Sequence, residues 1–261
     1  MFKKLSAEDF AALRGPFESG RQSPSSLGGM LFLSVFLQSL MYALEYFVAA
    51  DASIYPNKGK ILMIHFWITL ILAILSIIYS IPAIYKRSQK IQYLVVILMS
   101  QNLGGVTIYL MVLFFLGSKN IGINLSKEEL LNFTYITLLI AFLIFIVTFI
   151  RFYILLIKGH YRKGSKKEKQ RENMEHLIKS YLPVIIAGSV GLLFVIQFLF
   201  RNLNAGLNVE NIETIFMLTL GICLFFSMLF VLPEQLILLY CKYRFEGFNF
   251  YLSGDLKELE E

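Results

Sequence analysis

The chain has 261 residues, 57% of them hydrophobic and 16% charged, with a mean hydropathy of +0.65. A soluble domain is nearer half apolar and carries about 25% charged residues, so this composition excludes an ordinary water-soluble fold. A formal charge of +6 would suit nucleic acid, but most basic residues flank long apolar runs, where membrane orientation explains them and no nucleic-acid partner is expected.

Residues 1–26 read as a cytoplasmic N-tail. In "SAEDFAALRG" Ser6 and Asp9 have capping-box spacing, Phe10 and Leu13 share a face, and Gly15 can end the helix. The stretch therefore predicts a short helix on the membrane surface, with Lys3 and Lys4 near the headgroups, followed by the linker "GPFESGRQSPSSLGG".

Residues 27–241 read as the transmembrane domain. Six apolar runs follow in order: Leu27–Ala50, Ile61–Tyr85, Ile91–Leu116, Leu130–Ile157, Tyr181–Phe200 and Thr214–Cys241. Each is long enough to cross ~30 Å of hydrocarbon as a helix, and none shows the short alternating strands of a barrel. Val48-Ala49-Ala50 looks like a signal cleavage site, yet the run is too long for a signal core and contains Gln38 and Glu45. Placing the N-terminus in the cytoplasm puts 18 of the 24 Lys and Arg residues on that side and 5 on the other, with Arg151 inside a span. The expected fold class is all-α, a polytopic integral membrane helix bundle of six transmembrane helices with N- and C-termini cytoplasmic.

The basic loop 158–180 is the largest cytoplasmic connection. Arg162, Lys163, Lys166, Lys167, Lys169 and Arg171 can dock an anionic inner leaflet or a cytoplasmic partner, or simply anchor the topology as a solvated loop. Ser165 with Glu168 offers a helix start and Glu175 can pair with Lys179. Residues 242–261 read as a cytoplasmic C-tail with an acidic end.

Polar residues inside the spans are the candidate site, because a charge in hydrocarbon needs a partner, a proton or a function. Glu234 and Arg151 fall about two turns from the inner ends of their spans, so an ion pair between them is expected. Pro233 beside it removes a backbone donor and leaves the Leu229 carbonyl to a polar neighbour or water. Glu45 and His65 lie near the outer ends of two spans joined by a short loop, and form the expected outer pair. Gln38, Gln101 and Asn102 come between, with Gln197 near the outer end of the fifth span. Stacked in this way the groups line a path for substrate or protons, or act as interhelical glue. Gly104, Gly105, Gly188 and Gly191 permit close helix contact.

Catalysis is not expected: no HExxH, no GxSxG, no paired aspartates and no serine–histidine pair within a span are present. Cys223, Cys241, His65, His160 and His176 are scattered without metal-ligand spacing, so neither metal nor cofactor is expected. No P-loop is present, and ATP-driven work would need a separate cytoplasmic ATPase. The leading expectation is a transport or permease component, similar in architecture alone to the permease subunits of exporters. The alternative is a non-transporting membrane scaffold, assembly factor or toxin-immunity protein, in which the basic loop and the C-tail recruit partners or other membrane subunits. The Ile-, Phe- and Lys-rich composition makes a bacterial cytoplasmic membrane the default setting.

Overall fold

A computed structural model describes residues 5–118, 125–174 and 212–259 of the chain. Within them five helices are long and apolar enough to cross a membrane: α1 (Pro24–Ala49), α2 (Lys58–Ser80), α3 (Gln89–Leu116), α4 (Lys127–Ile157) and α5 (Ile212–Arg244). The remaining expected span, Tyr181–Phe200, lies outside the described residues, as do Gly188, Gly191, Gln197 and the Glu175–Lys179 pair. The fold is an all-α bundle, and among the described residues β pairing is limited to the isolated bridges Ser53–Ser118 and Phe250–Leu256.

The helix ends follow local chemistry. Ser23 accepts the Ser26 N–H at 3.3 Å with Pro24 in the first turn, so α1 starts ahead of its apolar run. Ser126 and Glu129 close a capping box at α4, with bonds of 3.2 and 2.7 Å. Helix α2 stops at Ser80, short of the expected Tyr85, because Pro82 cannot continue it and forces Ile81 into an extended conformation.

Helix α1 packs along α2, α3 sits against both of them and against α5, and α4 lies along α5. The outer faces are apolar and uncovered by described residues: Phe47 is 72% exposed, Leu33 68% and Phe36 65%. Such a belt fits a lipid environment and would drive aggregation in water. The chain is a multi-pass membrane protein.

Two cores stabilise the bundle. One lies at the end carrying the Ser53–Ser118 bridge, here called the top, around Tyr55, Tyr109, Phe114 and Phe225. The other fills the opposite end, the base, where residues near both ends of the chain meet α3 and the start of the 158–174 connection. Ser6 donates its N–H to Asp9 at 2.9 Å, and Ala7–Leu13 forms a 3₁₀ helix. Its Phe10 and Leu13 side chains, expected to lie on the membrane surface, are fully buried in protein instead. The Ala12 N–H bonds the Tyr161 carbonyl at 2.9 Å, and Arg14 donates to the Lys257 carbonyl at 2.9 Å. The stretch expected as a C-tail folds back, with Gln89 exchanging two 2.8 Å bonds with the Phe250 backbone. Phe245, Phe248 and Phe250 are buried there. Such local apolar residues do not reveal from sequence whether lipid or protein will cover them.

Candidate functional site

Helical periodicity gathers polar side chains into one interior seam. On α1 Ser34, Gln38 and Glu45 share a face, as do His65, Thr69 and Ser76 on α2. All six are buried, Glu45 and Ser76 completely. From His65 to Ser76 the seam covers about 16 Å at 1.5 Å per residue, half of a ~30 Å hydrocarbon layer.

Two π-helical turns aim the upper groups. Glu45–Ala49 closes α1 and Asn102–Thr107 interrupts α3, and the extra residue in each rotates the following face. The second turn carries Gly104, where a Cβ would stand 3.1 Å from the Met228 sulfur, so α3 can approach α5 closely. Thr107 turns inward, donates to the Asn102 carbonyl at 2.9 Å and stands 3.4 Å from His65 Nε2. Thr69 lies 3.3 Å from the same nitrogen and accepts from the Asn102 amide at 3.1 Å.

His65 Nδ1 stands 2.7 Å from Glu45 Oε2. The two form the expected outer pair at ion-pair distance, although the ring N–H is bent away from Oε2, and Glu45 Oε1 has no partner among the described residues. Gln38 donates to Ser34 Oγ at 3.3 Å while its own carbonyl oxygen is unpartnered. At the foot of the seam Gln92 donates to the Pro24 and Tyr79 carbonyls at 2.9 and 3.1 Å. Among the described residues, six of the eight buried side-chain atoms without a hydrogen bond belong to Gln38, Glu45, His65, Ser76 and Gln92. Buried polar atoms are ordinarily satisfied, so their concentration along one seam marks a place where a proton, water or ligand completes the bonding.

Glu234 is held differently. Arg171 grips it in a bidentate pair at 2.8 and 2.7 Å, from a helix over 166–174 that folds under the bundle. The expected pair with Arg151 is therefore corrected: both Glu234 oxygens are taken, and Arg151 stays exposed on α4. An arginine two turns from a helix end can snorkel to the interface, which depth matching alone does not distinguish from a pair. Burial opposes the Arg171 charge, but the Glu234 bonds outweigh it and raise its pKa. Gln101, expected in the interior path, instead braces α5 beside Pro233, donating to the Met228 carbonyl at 3.1 Å and to Gln235 at 2.9 Å.

The basic docking set divides. Arg162 pairs with Asp9 at 2.8 Å, Lys167 bonds the Tyr161 hydroxyl at 3.2 Å, and Arg171 holds Glu234, whereas the side chains of Lys163, Lys166 and Lys169 are exposed. Burial raises the Asp9 pKa, but the Ser6 N–H and Arg162 lower it more, leaving a net depression.

A cleft of about 470 Å³ opens at the top of α1 and α2, lined by Tyr42, Tyr46, Asp51, Lys58, Leu62 and Phe66. Its Tyr42 wall touches the seam, with the tyrosine ring centroid 5.8 Å from that of His65 and the hydroxyl bonded to the Leu62 carbonyl at 3.1 Å. Sequence spacing did not single out these aromatics, since tyrosine near a membrane interface is ordinary anchoring. Among the described residues no group of three His, Cys, Asp or Glu side chains is arranged to hold a metal ion. No protein-family model, curated protein or solved structure matches the chain.

Proposed function

We propose that the protein is a transport component and that its conducting element is the buried seam between α1, α2 and α3. The concentration of unsatisfied polar atoms on Gln38, Glu45, His65, Ser76 and Gln92 carries this reading. A seam built only as glue would be expected to pair its members, as Arg171 pairs with Glu234. Glu45 and His65 are the groups able to take up and release a proton, and Thr69, Thr107 and Asn102 extend their contacts towards mid-bundle.

The base is taken to face the cytoplasm, because Lys86, Arg87, Lys158, Arg162 and Arg244 gather at that end. A bacterial cytoplasmic membrane is the proposed setting, with an anionic inner leaflet against the exposed lysines of 163–169. If movement is driven by ATP, a separate ATPase would dock at the base. One observation favours a second reading, a scaffold: the chain ends and the 158–174 connection interlock into a platform suited to holding partners.

Proteoliposomes with an internal pH dye separate the two. The transport reading expects the native protein to collapse an imposed pH gradient, and Glu45→Gln to abolish that flux while eluting as a folded monodisperse species. Native flux in Glu45→Gln would sink the role of the seam and leave the scaffold.

A further inference from the structure

The top cleft already contains an ammonium group, and the chain itself supplies it. Lys58 Nζ donates to the Ala50 carbonyl at 2.7 Å and to the Asp51 carbonyl at 3.1 Å. These carbonyls follow directly on the C-terminal end of α1, where aligned peptide dipoles attract positive charge. The Asp51 side chain is exposed beside them and has no partner among the described residues. Behind the carbonyls stand aromatic walls: Tyr42 lies 6.4 Å from Tyr46 and 5.5 Å from Phe66, centroid to centroid. Two carbonyl oxygens and a free carboxylate beside an apolar aromatic wall are together the chemistry that recognises the head and tail of an organic cation. Phe66 is 40% exposed and Met63 58%, so the cleft is open on its apolar side.

We propose that this cleft binds an amphiphile with a cationic amine head, and that Lys58 is a tethered competitor occupying the head position when the site is empty. The amine displaces the Lys58 ammonium from the Ala50 and Asp51 carbonyls, and its alkyl tail runs along Tyr42, Tyr46 and Phe66 and out past Met63. Lys58 begins α2 on a flexible four-carbon stem, so it can swing to solvent without disturbing the helix. Since Tyr42 separates the cleft from His65, the site is an entrance to the seam; that role rests on the transport reading, whereas binding itself does not.

The chain contains one tryptophan, Trp67, whose ring lies 5.5 Å from Phe66 of the cleft wall, so its fluorescence senses occupancy through that neighbour. In nanodiscs of neutral lipid, titration with dodecylamine at pH 7 should give a saturable change in Trp67 emission. Dodecanol and dodecyl sulfate, with the same tail, should give none. Lys58→Met should tighten dodecylamine binding about tenfold by removing the competitor, and Asp51→Asn, an exposed change that leaves the fold alone, should weaken it about tenfold. A saturable response to dodecanol equal to that of the amine overturns the proposal, as does unchanged or weakened binding in Lys58→Met. Amine binding retained in Glu45→Gln while its proton flux is lost supports both readings. Native flux without amine binding overturns this one alone.

Discussion

Glu45 and Glu234 both lie inside apolar helices, beyond their first turns, and the bundle treats them in opposite ways. Glu234, near the base, has both oxygens bonded by Arg171, and both side chains keep about 30% exposure, 31% and 28%. Glu45, near the top, is fully buried and pairs only through one oxygen with His65 2.7 Å away, in a bent contact that leaves its other oxygen without a partner among the described residues. The first arrangement is a clasp: bidentate and charge-assisted, with bonds to Glu234 that outweigh the burial of Arg171. The second leaves acceptors unfilled in a dry place, which is unfavourable unless the missing bonds are made during function. Completeness of bonding, more than the presence of a charge, separates the Glu234 clasp from the pair proposed to conduct.

The sharpest way to break this contrast is to remove one partner at each site. His65→Leu strands the Glu45 carboxylate in the interior and should lower stability by about 3–5 kcal/mol in thermal unfolding in detergent. Adding Glu45→Gln should restore most of the loss, because the buried charge is then gone; a double variant as unstable as the single one would mean that His65 acts by packing alone. At the base, Arg171→Ala should cost about 1–2 kcal/mol, reduced by the solvent that screens the pair. Its effect should be local, with the 166–174 helix becoming the first site of limited proteolysis. Global unfolding at the same denaturant midpoint as His65→Leu would erase the distinction between clasp and seam.

Acid should loosen the base through Asp9. Its folded pKa lies below the ordinary 3.8, so its stabilisation is fully present above that value and is lost as pH falls through the lower folded value. Exchange protection across Ala7–Leu13, relative to the intrinsic rate at each pH, should therefore fall below about pH 4. Asp9→Asn should exchange faster than native at pH 7 by up to about tenfold and lose the acid dependence. Glu18 works in the other direction: burial raises its pKa, Arg14 lowers it, and Glu168 and Glu172 raise it again, for a net rise. Its contribution is most favourable below its ordinary value of 4.5 and declines as pH rises through the folded value, and it is small because the side chain is 55% exposed. The smallest change expected is at Arg151. Exposed on α4, its replacement by alanine should alter stability by no more than about 0.5 kcal/mol, and a loss several times larger would point to a partner for the guanidinium.

Five of the membrane-spanning helices were readable from apolar run length, because hydrocarbon imposes that length on any helix crossing it. The closeness of Glu45 and His65 followed from a short loop joining two adjacent spans, so sequence neighbours became spatial ones. Arg171 was missed because its partner is 63 residues away and its apparent task was to anchor a loop. Arg151 misled for a related reason: depth along a helix is legible in sequence, but rotation about the helix axis towards or away from a neighbour depends on packing. The base cap and the top cleft show the same limit. Phe10, Phe17, Phe245 and Phe248 are ordinary interfacial aromatics until the ends of the chain meet around them. Hydropathy is a property of each segment and already places it in the membrane; which side chains meet inside, and which carboxylate is left wanting a bond, is a property of contacts between segments and exists only once the helices are packed.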